Sequence, residues 1–217
     1  AYALVADTSG ERTLKPLHTP GSLGQVLGEL GLHHYEGCGF ERVLLVEGPG
    51  DLRVLRSWLR LLRSEPSTLM ISLGGSNFIN GRVLPELLDI TSLGMPVFAI
   101  IDSERSTAGA ELSPDRGEFV AACGEARIDV HVSERRAIEN YLTQRAIDAV
   151  LGERSHVAIG EFERPRDVEG AVSKAPAVLQ RVAEAMTREE VVATDIGKFL
   201  IEHVLADRGR SGSIAAN

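Results

Sequence analysis

The sequence predicts an α/β chain: a parallel sheet flanked by helices, with a helical appendage at the C-terminal end. Three observations carry this prediction. Between residues 41 and 142, short apolar runs alternate with helical stretches in the order β-α-β-α-β-α-β, which is the rhythm of a parallel sheet covered on both faces. Two of the apolar runs end on a carboxylate, at the strand ends where open parallel sheets bind ligands. After residue 142 the strand-like runs give way to helical ones.

Taken in order, "YALVAD" and "RTLKPL" flank "TSGE" and read as a short hairpin. "GSLGQVLGELGL" reads as a helix weakened by glycine. Residues 1–40 are therefore expected to be a connector, a hairpin and helix carried over from a preceding domain. The chain begins at Ala1 as if in mid-strand, so a fragment of a longer polypeptide is expected.

The core follows over residues 41–142. "RVLLVE" is a compact apolar strand, and "DLRVLRSWLRLLR" sets Leu52, Leu55, Trp58, Leu59 and Leu62 on one helical face. "LMISLGG" is a second strand. In "RVLPELLDITSLG", Pro85 suits a first helical turn and Gly94 a helix end. "PVFAIID" is a third strand, "GEFVAACGEA" a short helix and "RIDVHV" a fourth strand. Residues 143–208 supply the helical segments "AIDAVLG", "APAVLQRVAEAM" and "IGKFLIEHVLADRG" around a polar loop, and 209–217 read as a flexible tail.

Composition narrows the classes. Hydrophobic residues make up 43% and charged residues 25% of the 217, as in ordinary globular proteins. There is no apolar run of about 18 residues for a membrane span and no signal-peptide pattern. Cys38 and Cys123 are far apart and form no metal-like spacing, which suits a reducing, cytoplasmic compartment. The net charge of −8 weighs against nucleic-acid binding, but bound divalent cations reverse the sign of an acidic site.

The acids carry the chemistry. Glu47 and Asp102 close the first and third strands, Asp51 lies just beyond Gly48-Pro49-Gly50, and Glu104 lies two residues past Asp102. If those strands are neighbours, four carboxylates converge. Like charges so close raise each other's pKa unless protons or hard cations neutralise them, and Mg²⁺ and Mn²⁺ prefer such oxygen ligands. Taken alone, Asp51 reads as a helix N-cap and Asp102 as a turn initiator. Glu47 is harder to place, because Glu is disfavoured in strands.

"VEGPGD" and "FAIIDSE" resemble a TOPRIM domain, the metal-dependent, Rossmann-like fold of topoisomerases, primases and certain nucleases. Glu47 matches the Glu after strand one. Asp102-Ser103-Glu104 matches the Asp-x-Asp after strand three, with Glu in place of the second Asp. Asp51 points to the nuclease branch. "RRAIENYL" and the tail segment "TDIGKFL" further resemble the OLD (overcoming lysogenization defect) family of ATP-powered nucleases, linked to phage defence, over about residues 41–205. That resemblance implies a Mg²⁺- or Mn²⁺-dependent endodeoxyribonuclease with two metal sites. Glu47, Asp51 and Glu139 would serve one ion, and Asp102 and Glu104 the other, with the Ser103 hydroxyl or backbone beside them. It also implies a transition-state lysine. Only Lys15, Lys174 and Lys198 exist; Lys174 and Lys198 each open an expected helix, and Lys198 is favoured. An ABC-type ATPase domain would precede this region and dimerise it. No Walker A motif is present, so ATP would act only through that domain; some members also use a helicase.

For DNA, Arg53, Arg56, Arg60 and Arg63 share one helical face, which reads first as a solvated face and second as a phosphate track. Arg135 and Arg136 precede Glu139 and either hold it by an ion pair or touch DNA. Gly74-Gly75-Ser76 could approach a phosphate backbone. Two other classes remain open: a receiver-like module phosphorylated on Asp102, and a catalytically silent DNA-binding or assembly module.

Overall fold

A computed structural model of the chain describes residues 2–6, 12–16, 40–62, 67–92, 94–172 and 174–206. The helix expected within residues 17–40, the tail at 209–217, and Cys38 and Arg63 lie outside the described residues. The expected hairpin is present: β1 (Tyr2–Ala6) pairs antiparallel with β2 (Arg12–Pro16), with Ala6 opposite Arg12.

The remaining strands are β3 (Arg42–Val46), β4 (Thr68–Ser72), β5 (Val97–Ile101) and β6 (Asp129–Val132). All three pairings among them are parallel, in the order β4-β3-β5-β6. Strand alternation divides the core in two. Leu44, Val46, Phe98 and Ile100 face one side, and Val43, Leu45, Val97, Ala99 and Ile101 face the other. On the second side lie α2 (Leu84–Thr91), with Pro85 in its first turn as expected, and α3 (Pro114–Glu125). Cys123 is buried there, and burial pushes its thiol up to about 12, as befits a small core residue.

The first side is covered by α1 (Pro49–Leu61) together with the C-terminal helices α4 (Gln144–Leu151), α5 (Pro176–Ala185), α6 (Arg188–Val192) and α7 (Asp195–Phe199). A π-helical turn, Leu200–Val204, continues α7. Leu179, Val182, Ile196 and Leu200 share one buried cluster with Trp58 and the sheet, so residues 143–206 complete the cover of the sheet. No helix among the described residues is long and apolar enough to cross a membrane.

Two helices begin where local chemistry was overlooked. The helix expected from Gly117 starts at Pro114, with Ser113 as its N-cap residue; proline at the first helical position is preorganised and loses no needed donor. The α6 start is a capping box: the Thr187 hydroxyl accepts from the Glu190 amide, and the Glu190 carboxylate accepts from the Thr187 amide.

Candidate metal centre

Topology brings the acids together. The chain passes from β3 to β4 on one side and returns to β5 on the other, so the sheet switches direction between β3 and β5. Val46 lies opposite Ile100, so Glu47 leaves β3 beside the residues through which β5 runs into Asp102. This is the crevice in which open α/β sheets place ligands.

Glu47 is held by its surroundings. Its carbonyl accepts from the Gly75 amide at 2.8 Å, and Gly74 and Gly75 reach that position through φ of 100° and 113°, a region glycine enters without penalty. The glycine pair expected near a phosphate thus supports Glu47 from behind. The side chain is buried, with Oε1 accepting from Arg116 Nη2 at 3.1 Å, while buried Oε2 has no partner. Burial raises the Glu47 pKa, although Arg116 and the Asp102 amide oppose the shift.

Asp51 is not the N-cap. Gly48 occupies that position with extended backbone, and Pro49, Gly50 and Asp51 form the first turn of α1. The Gly-Pro-Gly segment is therefore the helix start and not a turn before it. Asp51 Oδ2 accepts from the Gly48 amide at 2.7 Å, and a Cβ on Gly48 would lie 3.2 Å from that oxygen. Burial pushes the Asp51 pKa up to about 7; Glu47 and Glu139 add to the shift, and the Gly48 hydrogen bond and Lys174 oppose it.

Asp102 follows β5 directly. Its Oδ1 accepts from the Ile138 amide at 3.0 Å. Burial raises its pKa well above the usual carboxylate range, reinforced in turn by Asp51, Glu47, Glu139 and Glu104. The five predicted acids thus sense one another electrostatically, as expected of a functional cluster. Glu139 sits in a 3₁₀ turn, Ile138–Tyr141, and is buried in an ion pair with Lys174. The adjacent Asn140 ties this turn to the Gly160 and Glu163 carbonyls.

The arginines differ from expectation. Arg136 is buried; it pairs with Glu104 and also donates to the Glu104 and Arg105 carbonyls at 2.9 and 3.0 Å. Arg135 donates to the Asn140 carbonyl at 2.6 Å, lies 3.3 Å from Glu161 and stacks 5.0 Å over Tyr141. Neither holds Glu139, and Arg136 is largely buried against Glu104. On α1, Arg53 donates to Gln180 at 3.1 Å and Arg60 lies 3.9 Å from Glu184, both across to α5; Arg56 is exposed. That face is at least partly engaged in packing. Ser103 is buried with its hydroxyl donating to the Arg135 carbonyl at 2.7 Å, which braces the loop between Asp102 and Glu104.

The two lysines separate. Lys174 precedes α5 and reaches the acids. Burial opposes its charge, yet Glu139, Asp102 and Glu104 hold its pKa above the ordinary value. Lys198 does not open a helix: it is the fourth residue of α7, and its amide is bonded to the Thr194 carbonyl at 3.0 Å. It lines a separate cavity of about 590 Å³ with Asp195 and Arg135. Asp195 anchors the C-terminal helices there by accepting from His131 at 2.7 Å and from the Glu134 amide at 2.9 Å. Burial works against that carboxylate, but His131, the Glu134 amide and Tyr141 hold it at about 2.

Sequence reasoning missed Arg116, which was hidden within a helix expected to begin one residue later.

Among the described residues, no three His, Cys, Asp or Glu side chains are drawn tightly enough to enclose an ion as they stand. Arg116, Arg136 and Lys174 each form an ion pair with one of the acids. The donor set nonetheless fits a hard divalent cation. It is all oxygen, it comprises mutually repelling carboxylates, and it contains a buried orphaned oxygen, Glu47 Oε2.

No family model matches the chain, and no curated protein matches it. Solved structures do. Two are described as the C-terminal region of the Xanthomonas campestris pv. campestris OLD protein, phased with iodine and with mercury. Each is 15% identical, with TM-scores of 0.41 and 0.43, and each alignment covers 76% of this chain and 94% of the other. A third, phased with platinum, is 16% identical with a TM-score of 0.36, covering 70% and 86%.

Proposed function

We propose that this chain is a metal-dependent DNA endonuclease domain of the TOPRIM type, belonging to the OLD family of ATPase-nucleases. The observation that supports it best is the gathering of Glu47, Asp51, Asp102, Glu104 and Glu139 at the switch between β3 and β5, with Glu47 Oε2 buried and unpartnered. Glu47, Asp51 and Glu139 would hold one Mg²⁺ or Mn²⁺, and Asp102 and Glu104 a second. Bound there, such ions supply Lewis acidity, an ionised water and a clamp on the phosphodiester oxygens.

The protein's own groups do the rest. Arg116 fixes one carboxylate oxygen of Glu47 and leaves the other buried and unpartnered. The Ile138 and Gly48 amides each fix one oxygen of Asp102 and Asp51. Lys174, already among the acids, is placed to donate to a non-bridging phosphate oxygen as charge develops. An ATPase domain in the same polypeptide, ATP through it, and a helicase partner belong to the same proposal.

The test is nicking of supercoiled plasmid with Mn²⁺ or Mg²⁺, together with Mn²⁺ binding followed by electron paramagnetic resonance. Wild type should nick and bind, and Glu47→Ala should lose both. Nicking by Glu47→Ala at the wild-type rate would sink the proposal.

One observation favours a second reading. Three acids are already neutralised by Arg116, Arg136 and Lys174, as a silent structural cluster in an assembly module would be. Absence of Mn²⁺ binding by wild type selects that reading.

A further inference from the structure

The chain carries net charge −8, yet one cavity beside the acids runs against that balance. It has a volume of about 900 Å³ and is lined by Arg136, Arg164, Arg166, Lys174 and His156, with Glu104 the one acidic side chain among the described residues of its wall. Two of these residues also belong to the acid cluster: Lys174 pairs with Glu139, and Arg136 with Glu104. The cavity therefore opens directly onto the carboxylates.

The loop that supplies Arg164 and Arg166 is not basic in sequence; "EFERPRDVEG" holds more acids than bases. The fold sorts its charges. Glu161 turns to Arg135 at 3.3 Å, and Glu163 accepts from the Gly160 amide at 2.9 Å, which leaves the two arginines facing the cavity. A short 3₁₀ turn, Pro165–Asp167, presents them. Arg166 lies 3.8 Å from Asp167, an exposed pair of the kind that contributes little, and Arg164 makes no ion pair among the described residues. The rest of the wall is small and aliphatic, with no Phe, Tyr or Trp. Aromatic platforms on which bases stack are thus missing from it, whereas cations for phosphates are present.

We infer that this cavity binds the sugar-phosphate backbone of the DNA strand to be cut, through Arg164 and Arg166, and leads it to the acids without reading base sequence. The inference rests on the nuclease reading for its substrate, but not for its test. Binding of a labelled DNA duplex by the whole chain is titrated in EDTA across a range of salt concentrations. Alongside, plasmid nicking is scored for wild type, Arg164→Gln/Arg166→Gln and a control of matched charge, Arg127→Gln/Arg188→Gln, at exposed positions off the cavity wall.

Each phosphate contact adds about 0.9 to the slope of log affinity against log salt. The cavity variant should show a slope shallower by about 1.8 and bind at least about tenfold more weakly at 0.1 M salt. The reduction should be equal for duplexes of different sequence, and the control should match wild type. Equal binding by wild type and cavity variant, or an equal loss in the control, overturns the inference while leaving the nuclease reading intact if wild type nicks. A wild type that binds through these arginines but never nicks retains the groove and removes the nuclease. A wild type that binds no DNA removes both.

Discussion

Arg116→Met is the most informative single perturbation. The Arg116 and Glu47 side chains are 5% and 9% exposed and meet at 3.1 Å. At an effective dielectric of about 20 their attraction is about 5 kcal/mol. Removing one partner of such a buried pair costs about 3–5 kcal/mol, because the remaining charge stays desolvated. For a chain of this size each kcal/mol lowers Tm by about 2–4 °C, so a fall of roughly 6–20 °C is expected in thermal unfolding monitored by circular dichroism.

The double variant Glu47→Leu/Arg116→Met should recover most of that loss, since replacing a buried ion pair with apolar groups is often near neutral. Acid should also rescue the single variant. Burial already raises the Glu47 pKa, and without Arg116 it rises further. The penalty is then present at neutral pH and fades as pH falls through that pKa towards the unfolded value, because the protonated carboxyl no longer needs a cation. A single variant within about 1 kcal/mol of wild type, or a double variant as unstable as the sum of both singles, would refute the claim that this pair holds Glu47 in place.

Three further outcomes follow from the same geometry. Lys174→Ala should reduce plasmid nicking at least about a hundredfold, by analogy with the loss of one preorganised donor, while Lys198→Ala stays within a few-fold of wild type; the reverse ranking would move the catalytic lysine to the other cavity. The pKa values of Asp51, Asp102 and Glu47 are raised by burial and mutual repulsion, so the metal-free fold binds more protons than the unfolded chain. Its stability in urea should fall as pH rises from about 4 through about 7, the folded value for Asp51, and Mn²⁺ should restore it at the upper end. Gly197→Ala should destabilise the fold by about 1–3 kcal/mol or more, read as a lower urea midpoint, because its Cβ would stand 1.9 Å from the Val191 carbonyl oxygen.

The sheet and its acidic edge were legible because they depend on short-range pattern. Apolar runs such as Val43–Val46 and Val97–Ile101 name their own strands, and the acids that end them follow from the strand ends. Pairing of β3 with β5 was not legible, because the right-handed crossover rule sets the hand of each connection and leaves open which strand lies beside β3. What was not legible depends on partners remote in sequence. Asp51 looks like a cap until Gly48 is seen to hold that position with Pro49 next in line. Nothing near Arg136 in the sequence says that it will clasp Glu104, 32 residues away. Lys174 and Lys198 are equivalent in a helix-start argument, and only the packing of α5 and α7 on the sheet decides which lies among the acids.

The arrangement of cations explains how such a cluster can fold at all. Five carboxylates in one crevice would repel one another and oppose folding if each stayed charged and unpaired. Arg116 reaches Glu47 from α3 on one face of the sheet, Lys174 reaches Glu139 from the other, and Arg136 meets Glu104 at the rim. Asp51 and Asp102 have no such partner among the described residues and instead have raised pKa values. Two different devices thus neutralise one cluster: a proton leaves as pH rises, and of the cations the half-exposed Lys174 can swing away, whereas the buried Arg116 and Arg136 cannot. A site built only for stability would close every acid with a buried partner. Here the sealed Arg116 pair fixes one oxygen of Glu47 and strands the other, while the half-exposed Lys174 is a neutralising group that a divalent cation could displace.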